Sequence, residues 1–218
     1  MLKRATSEAV GTAFLLATVV GSGIMGERLS GGNVAIALLA NTLATGAALV
    51  ALILTFGPIS GAHFNPVVTI ADAWEGGRPW GDVPVYIAAQ VFGALAGVAV
   101  AHVMFGEAVF SASQHVRSGA AQLLSEAVAT FGLLSIIWGV SRKNAQLTPF
   151  AVGAYITAAY WFTSSTSFAN PAVTLARSLT NTFSGIRPVD APGFMGAQLV
   201  GALAATALFR FLSPVTST

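Results

Sequence analysis

Apolar residues gather along this chain into six long blocks, at residues 5–26, 33–57, 83–105, 120–140, 147–163 and 191–212. Glycine, proline or charge separates them, at Gly31-Gly32, Gly57-Pro58, Gly76-Gly77-Arg78-Pro79, Arg142-Lys143 and Gly185 with Pro188. A spanning helix needs about 20 apolar residues. Each block is therefore read as a membrane span, the fifth only if it stands nearly upright or runs into buried protein. Lipid offers the backbone no hydrogen-bond partner, and the alternating polarity of a barrel strand is missing, so the pattern predicts helices.

The blocks also repeat. Ser7-Glu8-Ala9-Val10-Gly11-Thr12 returns as Ser125-Glu126-Ala127-Val128-Ala129-Thr130, and Asn65-Pro66-Val67-Val68-Thr69 returns as Asn170-Pro171-Ala172-Val173-Thr174. Ala89-Gln90-Val91-Phe92-Gly93-Ala94-Leu95 returns as Ala197-Gln198-Leu199-Val200-Gly201-Ala202-Leu203, in the same order and at nearly constant spacing. The expected organisation is one domain over residues 1–218 made of two halves, about 1–106 and 119–218. Three spans per half would turn the second half over, giving an inverted repeat of the kind found in transporters and channels. With both termini on one side, Lys3, Arg4, Arg78, Arg142, Lys143 and Arg210 fall there, against Arg28, Arg117, Arg177 and Arg187 opposite. That balance points to cytoplasmic termini; the membrane expected is the cell (inner) membrane.

Composition agrees with a membrane solvent: 55% of the 218 residues are hydrophobic and 8% charged, where a soluble domain carries about 25% charged residues. A net charge of +2 with scattered basic residues argues against nucleic acid. The absence of Cys removes disulfides and thiolate chemistry. Met1-Leu2-Lys3-Arg4 before an apolar run resembles a signal peptide, but Glu8 and the repeat argue for a retained first span.

Between the blocks, residues 58–82 and 164–190 each hold an Asn-Pro and an apolar stretch too short to cross. Asn is a favoured N-cap and Pro a favoured first helical residue, so Asn65-Pro66 and Asn170-Pro171 read as the starts of two short helices. Dipping in from opposite faces, they would meet at mid-membrane as a broken seventh span. Each helix N-terminus carries about +0.5 elementary charge, which opposes cations there. If each Asn oxygen caps its own helix, its NH₂ remains a donor to the lumen, and a water accepting from both amides interrupts a proton wire.

The segments Gly61-Ala62-His63-Phe64-Asn65-Pro66-Val67-Val68-Thr69 and Asn170-Pro171-Ala172, with the Glu8/Thr12 and Glu126/Thr130 pairs, resemble the aquaporin (major intrinsic protein) family over the whole chain. The resemblance implies an all-α membrane protein with six transmembrane helices plus two re-entrant half-helices, a pore in every subunit and a homotetramer. It suggests that Glu8 and Glu126 accept backbone N–H groups of the Asn-Pro loops, turning the carbonyls of Gly61, Ala62, His63 and Phe64 and of Thr166, Ser167 and Phe168 to the lumen. For Glu8 a carboxylate snorkelling beside Lys3 and Arg4 remains the alternative.

The resemblance also carries a selectivity filter onto Thr45, Ser167, Val173 and a fifth-span residue, Tyr160 by one alignment and Ala158 by another. Water-selective members place an Arg directly after the second Asn-Pro-Ala, where this chain has Val173. Arg177, four residues on, is read as a cation complementing a half-helix C-terminus, with the outer mouth as its alternative place. Val67, where Ala is usual, is expected to pack where the half-helices touch. Gln90 and Gln198 are expected to join helices, and Gly93 and Gly97 to let helices approach closely. His102 is read as a core residue, His115 as a loop residue and His63 as either structural or pore-lining.

The implied function is passive passage of water and small uncharged solutes, with no cofactor and no metal. Loss of the filter Arg favours polyols such as glycerol, or neutral trihydroxylated metalloids such as arsenite. Short connecting loops favour a strictly water-selective channel instead. A secondary transporter would need ionisable groups at mid-membrane, for which only Glu8 and Glu126 qualify. An enzyme would need a catalytic cluster that the sequence does not offer.

Overall fold

The protein was analysed as a computed structural model, which describes residues 1–213. Among them are eight α-helices: α1 (Leu2–Leu29), α2 (Val34–Ser60), α3 (Pro66–Trp74), α4 (Val83–Phe105), α5 (Ala120–Asn144), α6 (Thr148–Phe162), α7 (Pro171–Arg177) and α8 (Ala191–Leu212). Five stretches are long and apolar enough to cross a membrane, and one of these, Ala120–Phe162, contains both α5 and α6. A turn of 3₁₀-helix at Ala145–Leu147 divides that stretch. At 1.5 Å per residue α6 spans only about 22 Å, and the chain continues from it into the buried loop that leads to Asn170.

Local chemistry sets the helix ends. Asn33 caps α2 by accepting from the amides of Ala35 and Ile36, and α2 stops at Gly61, whose φ of 91° suits glycine. The half-helices α3 and α7 start as Asn-Pro predicts. Asn65 accepts from the Val67 amide, Asn170 accepts from those of Ala172 and Val173, and a proline follows each cap.

Polarity runs opposite to that of a water-soluble bundle. Large apolar side chains such as Phe14, Phe92, Val103, Leu124, Phe162 and Val200 are exposed on the helix exteriors, while Glu8, Asn41, Gln90, Glu126 and Gln198 are buried. The burial pattern fits lipid as the outer solvent. Packing pairs α1 with α4, α5 with α8 and α2 with α6.

Glycine permits each of these crossings. A Cβ on Gly93 would lie 2.1 Å from the carbonyl oxygen of Ala9, and one on Gly201 would lie 2.3 Å from that of Ala127. Between α2 and α6, a Cβ on Gly153 would come within 2.8 Å of the Gly46 oxygen. The backbones themselves are in contact, so no side chain can be fitted without separating the helices.

The half-helices are exchanged between the cores. Ala172, Val173 and Ala176 of α7 pack with Leu16, Val20, Ala94 and Val98 of α1 and α4. Val67, Val68 and Ala71 of α3 pack with Leu134, Ile156 and Ala202 of α5, α6 and α8. Val67 also shares this cluster with Ala169, beside the N-terminus of α7.

Gly93→Ala and Gly201→Ala are expected to destabilise the protein by about 1–3 kcal/mol each, the usual range for overpacking. Gly57→Ala, inside α2 with no atom within 4 Å of its added Cβ, should leave the melting temperature in detergent unlowered or slightly raised. Equal melting of all three would contradict the close approach.

Candidate functional site

Two irregular loops, residues 61–64 and 163–169, lead into the half-helices. Ala62, Phe64, Thr166, Ser167 and Ala169 have φ between 48° and 61°, a left-handed conformation that costs a non-glycine residue roughly 1–2 kcal/mol. Carboxylates hold them. Glu8 accepts from the amides of His63 (3.0 Å) and Phe64 (2.7 Å) and from the Ser60 hydroxyl (2.6 Å). Glu126 accepts from the amides of Phe168 and Ala169, both at 2.9 Å. Both carboxylates are fully buried, and no hydrogen bond joins Glu8 to Lys3 or Arg4 among the described residues.

A third layer supports the carboxylates. Gln90 donates from Nε2 to Glu8 (2.8 Å) and to Thr69 Oγ1 (2.9 Å); Gln198 donates likewise to Glu126 (2.6 Å) and Thr174 Oγ1 (2.8 Å). Thr69 and Thr174 in turn donate to the carbonyls of Asn65 and Asn170. Glutamine, glutamate and threonine thus tie a long helix, a loop and a half-helix together in each half. Sequence reasoning gave the two glutamines only a helix-joining role and did not single out the threonines. The repeat was the available signal, since all four lie in its matched blocks.

The loops also grip each other. Asn65 Nδ2 donates to the Ala169 carbonyl (2.8 Å) and Asn170 Nδ2 to the Phe64 carbonyl (2.7 Å). The expectation that each NH₂ is wholly free for the lumen therefore changes, because one hydrogen of each amide crosses to the opposite loop. One hydrogen per amide remains. The Phe64 carbonyl likewise keeps one lone pair engaged.

A cavity of about 800 Å³ passes this crossing point. Asn65 and Asn170 line its middle, with Gly61, Ala62, His63, Phe64 and Asp72 on one side and Thr45, Tyr160, Ser167, Phe168, Val173 and Arg177 on the other. Thr166, expected among the lining carbonyls, is not part of this wall. Its hydroxyl instead accepts from Arg117, 3.4 Å away. Of the two fifth-span candidates, Tyr160 is buried on the cavity wall, its hydroxyl donating to Thr45 Oγ1 (3.3 Å), whereas Ala158 is exposed on the helix exterior. Ser167 Oγ is buried without a hydrogen-bond partner among the described residues.

His63 lines the cavity as well. Arg78 has only donors, so its contact with His63 Nε2 (3.3 Å) makes that nitrogen the acceptor. The ring proton then sits on Nδ1, 3.1 Å from Thr69 Oγ1. Arg177 departs from the favoured sequence reading. Its guanidinium carbon stands 3.3 Å from the centre of the Phe168 ring and its Nε donates to the Ser184 carbonyl, so it faces the cavity rather than capping α7.

This geometry has counterparts among known proteins. A family model described as major intrinsic protein matches residues 1–168. Aquaglyceroporin AqpS of Rhizobium meliloti (strain 1021) is 55% identical over 212 residues, spanning 97% of this chain and 91% of AqpS. Probable aquaporin NIP7-1 of Arabidopsis thaliana is 32% identical over 217 residues, 97% of this chain and 77% of that protein. The X-ray structure of the aquaglyceroporin from Plasmodium falciparum shares the fold, with a TM-score of 0.76 at 20% identity over 98% of this chain and 97% of that one. The chain belongs to the major intrinsic protein family and is a membrane channel, not an enzyme.

Glu126→Leu should leave the Phe168 and Ala169 amides unpaired, at about 1–3 kcal/mol each, whereas Glu126→Gln keeps an acceptor. The Leu variant is expected to melt at a lower temperature in detergent than the Gln variant. Identical melting would remove Glu126 from loop support.

Proposed function

We propose that the chain is a passive channel for water and small uncharged solutes, including polyols such as glycerol and neutral trihydroxylated metalloids such as arsenite. One observation carries the reading: a single cavity is lined in common by Asn65, Asn170, Thr45, Tyr160, Ser167 and Val173. The 55% identity to a protein named an aquaglyceroporin supports the solute class. Stopped-flow light scattering on proteoliposomes, comparing water, glycerol and arsenite, tests it; exclusion of both solutes with water flux intact would replace it with a water-selective channel.

In this reading Thr45, Tyr160, Ser167 and Val173 form the selectivity filter, Asn65 and Asn170 the pore centre, and Glu8 and Glu126 the loop supports. Carbonyls of Gly61, Ala62, His63, Phe64, Ser167 and Phe168 offer a file of acceptors. At the centre a passing oxygen accepts from the remaining amide hydrogens of the two Asn residues and meets two positive helix ends, which disfavours cations and breaks a proton relay. Val173 brings neither charge nor donor and has a short reach, so the filter accommodates solutes larger than water.

The same proposal takes residues 1–218 as one channel domain of two inverted repeats, assembled as a homotetramer in the cell (inner) membrane with cytoplasmic termini. The matched Glu, Gln, Thr and Asn contacts of the halves support the repeat. The distribution of Lys and Arg supports the orientation.

Three substitutions test the residue roles. Asn65→Asp or Asn170→Asp removes the NH₂ donor and adds negative charge beside a helix N-terminus, and solute flux should fall by about tenfold, 1.4 kcal/mol of barrier. Unchanged flux in both folded variants would move the constriction elsewhere. Val173→Arg should cut glycerol and arsenite flux far more than water flux in the same assay, whereas a proportional loss of all three would deny Val173 a part in selectivity.

A further inference from the structure

We propose that Arg177 is a specificity-determining residue of this channel, the cationic donor of its outer constriction, supplied one helical turn beyond the position where Val173 stands. The inference rests on the channel reading and adds a residue and a charge that the filter composition does not contain. Positions 72 and 177 are equivalent in the repeat, offset like Asn65 and Asn170, and both side chains line the cavity. One end carries Asp72, the other Arg177.

The two ends are compensated differently. Asp72 has Arg78 Nε at 2.9 Å, so the charge at its end is paired. Arg177 is only 2% exposed, and no carboxylate lies within 4 Å of it among the described residues. Two acids of this half are engaged elsewhere: Glu126 holds the Phe168 and Ala169 amides, and Asp190 holds Arg187 (3.0 and 3.1 Å) and the Arg117 amide (2.9 Å). The Arg187 hydrogen bonds keep the Asp190 carboxyl below its ordinary range, so it stays a committed anion. Arg117, 5.0 Å from the Phe168 ring centre, adds positive charge and directs its own donors to the carbonyls of Gly185 and Ser165.

A buried guanidinium needs acceptors. Of its five N–H groups, one reaches the Ser184 carbonyl, and the cation rests on the Phe168 ring. Its terminal nitrogens take no protein acceptor among the described residues. They stand on the cavity wall as donors without a protein partner. What satisfies them is the permeant species: water, or a small solute with several acceptor oxygens. A cation arriving there meets an uncompensated positive charge. The short Val173 side chain leaves the passage wide, and the pinned Arg177 keeps it cation-excluding.

The test uses full-length protein in liposomes, reading water flux by stopped flow and proton and potassium leak by an internal pH dye with and without valinomycin. The variants are Arg177→Gln and Arg177→Lys, with Arg177→Met, whose thioether suits an aromatic face, as the neutral variant should Gln fail to fold. The neutral variant should raise the ratio of cation leak to water flux at least about tenfold, while Lys, which keeps the charge, should stay near wild type. An unchanged ratio in a water-conducting neutral variant, or equal ratios in the neutral and Lys variants, would overturn the role of Arg177. Absence of water flux in the wild type would instead overturn the channel reading itself.

Discussion

Irregular backbone at membrane depth persists only where every amide and carbonyl finds a partner, and in this protein two buried carboxylates meet that requirement. Removing a carboxylate from water costs several kcal/mol, and five left-handed residues add their own strain. Charge-assisted bonds to backbone amides, stronger than neutral ones, offset both. Glu8 and Glu126 therefore fix more than loop position. With N–H groups drawn to the carboxylates, the loop residues are presented along a cavity that runs the length of the site. Gln90, Gln198, Thr69 and Thr174 complete the network, which anchors loop, long helix and half-helix as one unit.

The halves share this frame and differ in what they hang on it. Position 63 is a histidine tied to Arg78, while its counterpart Phe168 lies under Arg177 and near Arg117. A common scaffold thus carries a hydrogen-bonded ion-pair cluster at one end and an aromatic ring beneath a cation at the other. The carboxylate network, where any loss leaves buried polar atoms unpaired, is matched in the two halves, while the cavity ends differ.

Much of the architecture was legible because membrane helices write themselves in hydropathy. All six blocks became helices with ends shifted by a few residues, and both Asn-Pro pairs became capped half-helices. The site was legible where repetition marked it, as for Glu126 and the two Asn residues. Contacts across the repeat were hidden, because sequence gives residue types and not which loop faces which. So the Asn65 and Asn170 amides were expected to serve only the lumen, although each also reaches the other loop. Arg177 was misplaced for a related reason. Helical spacing located it at the end of α7, but the ring that draws its guanidinium toward the cavity belongs to a loop turned by Glu126.

The exchanged half-helices bear on the order in which the chain can be completed. α3 packs among α5, α6 and α8, and α7 among α1 and α4. The Asn65 amide finds its acceptor 104 residues further along, and Asn170 returns 106 residues to its own. A ribosome delivers these partners far apart in time. Glu8 and Gln90 can hold the first re-entrant segment within its own half, but its apolar face stays without partners until the second half has been made. Closure of the fold is thus a late, mutual docking event, and neither half by itself encloses a finished passage.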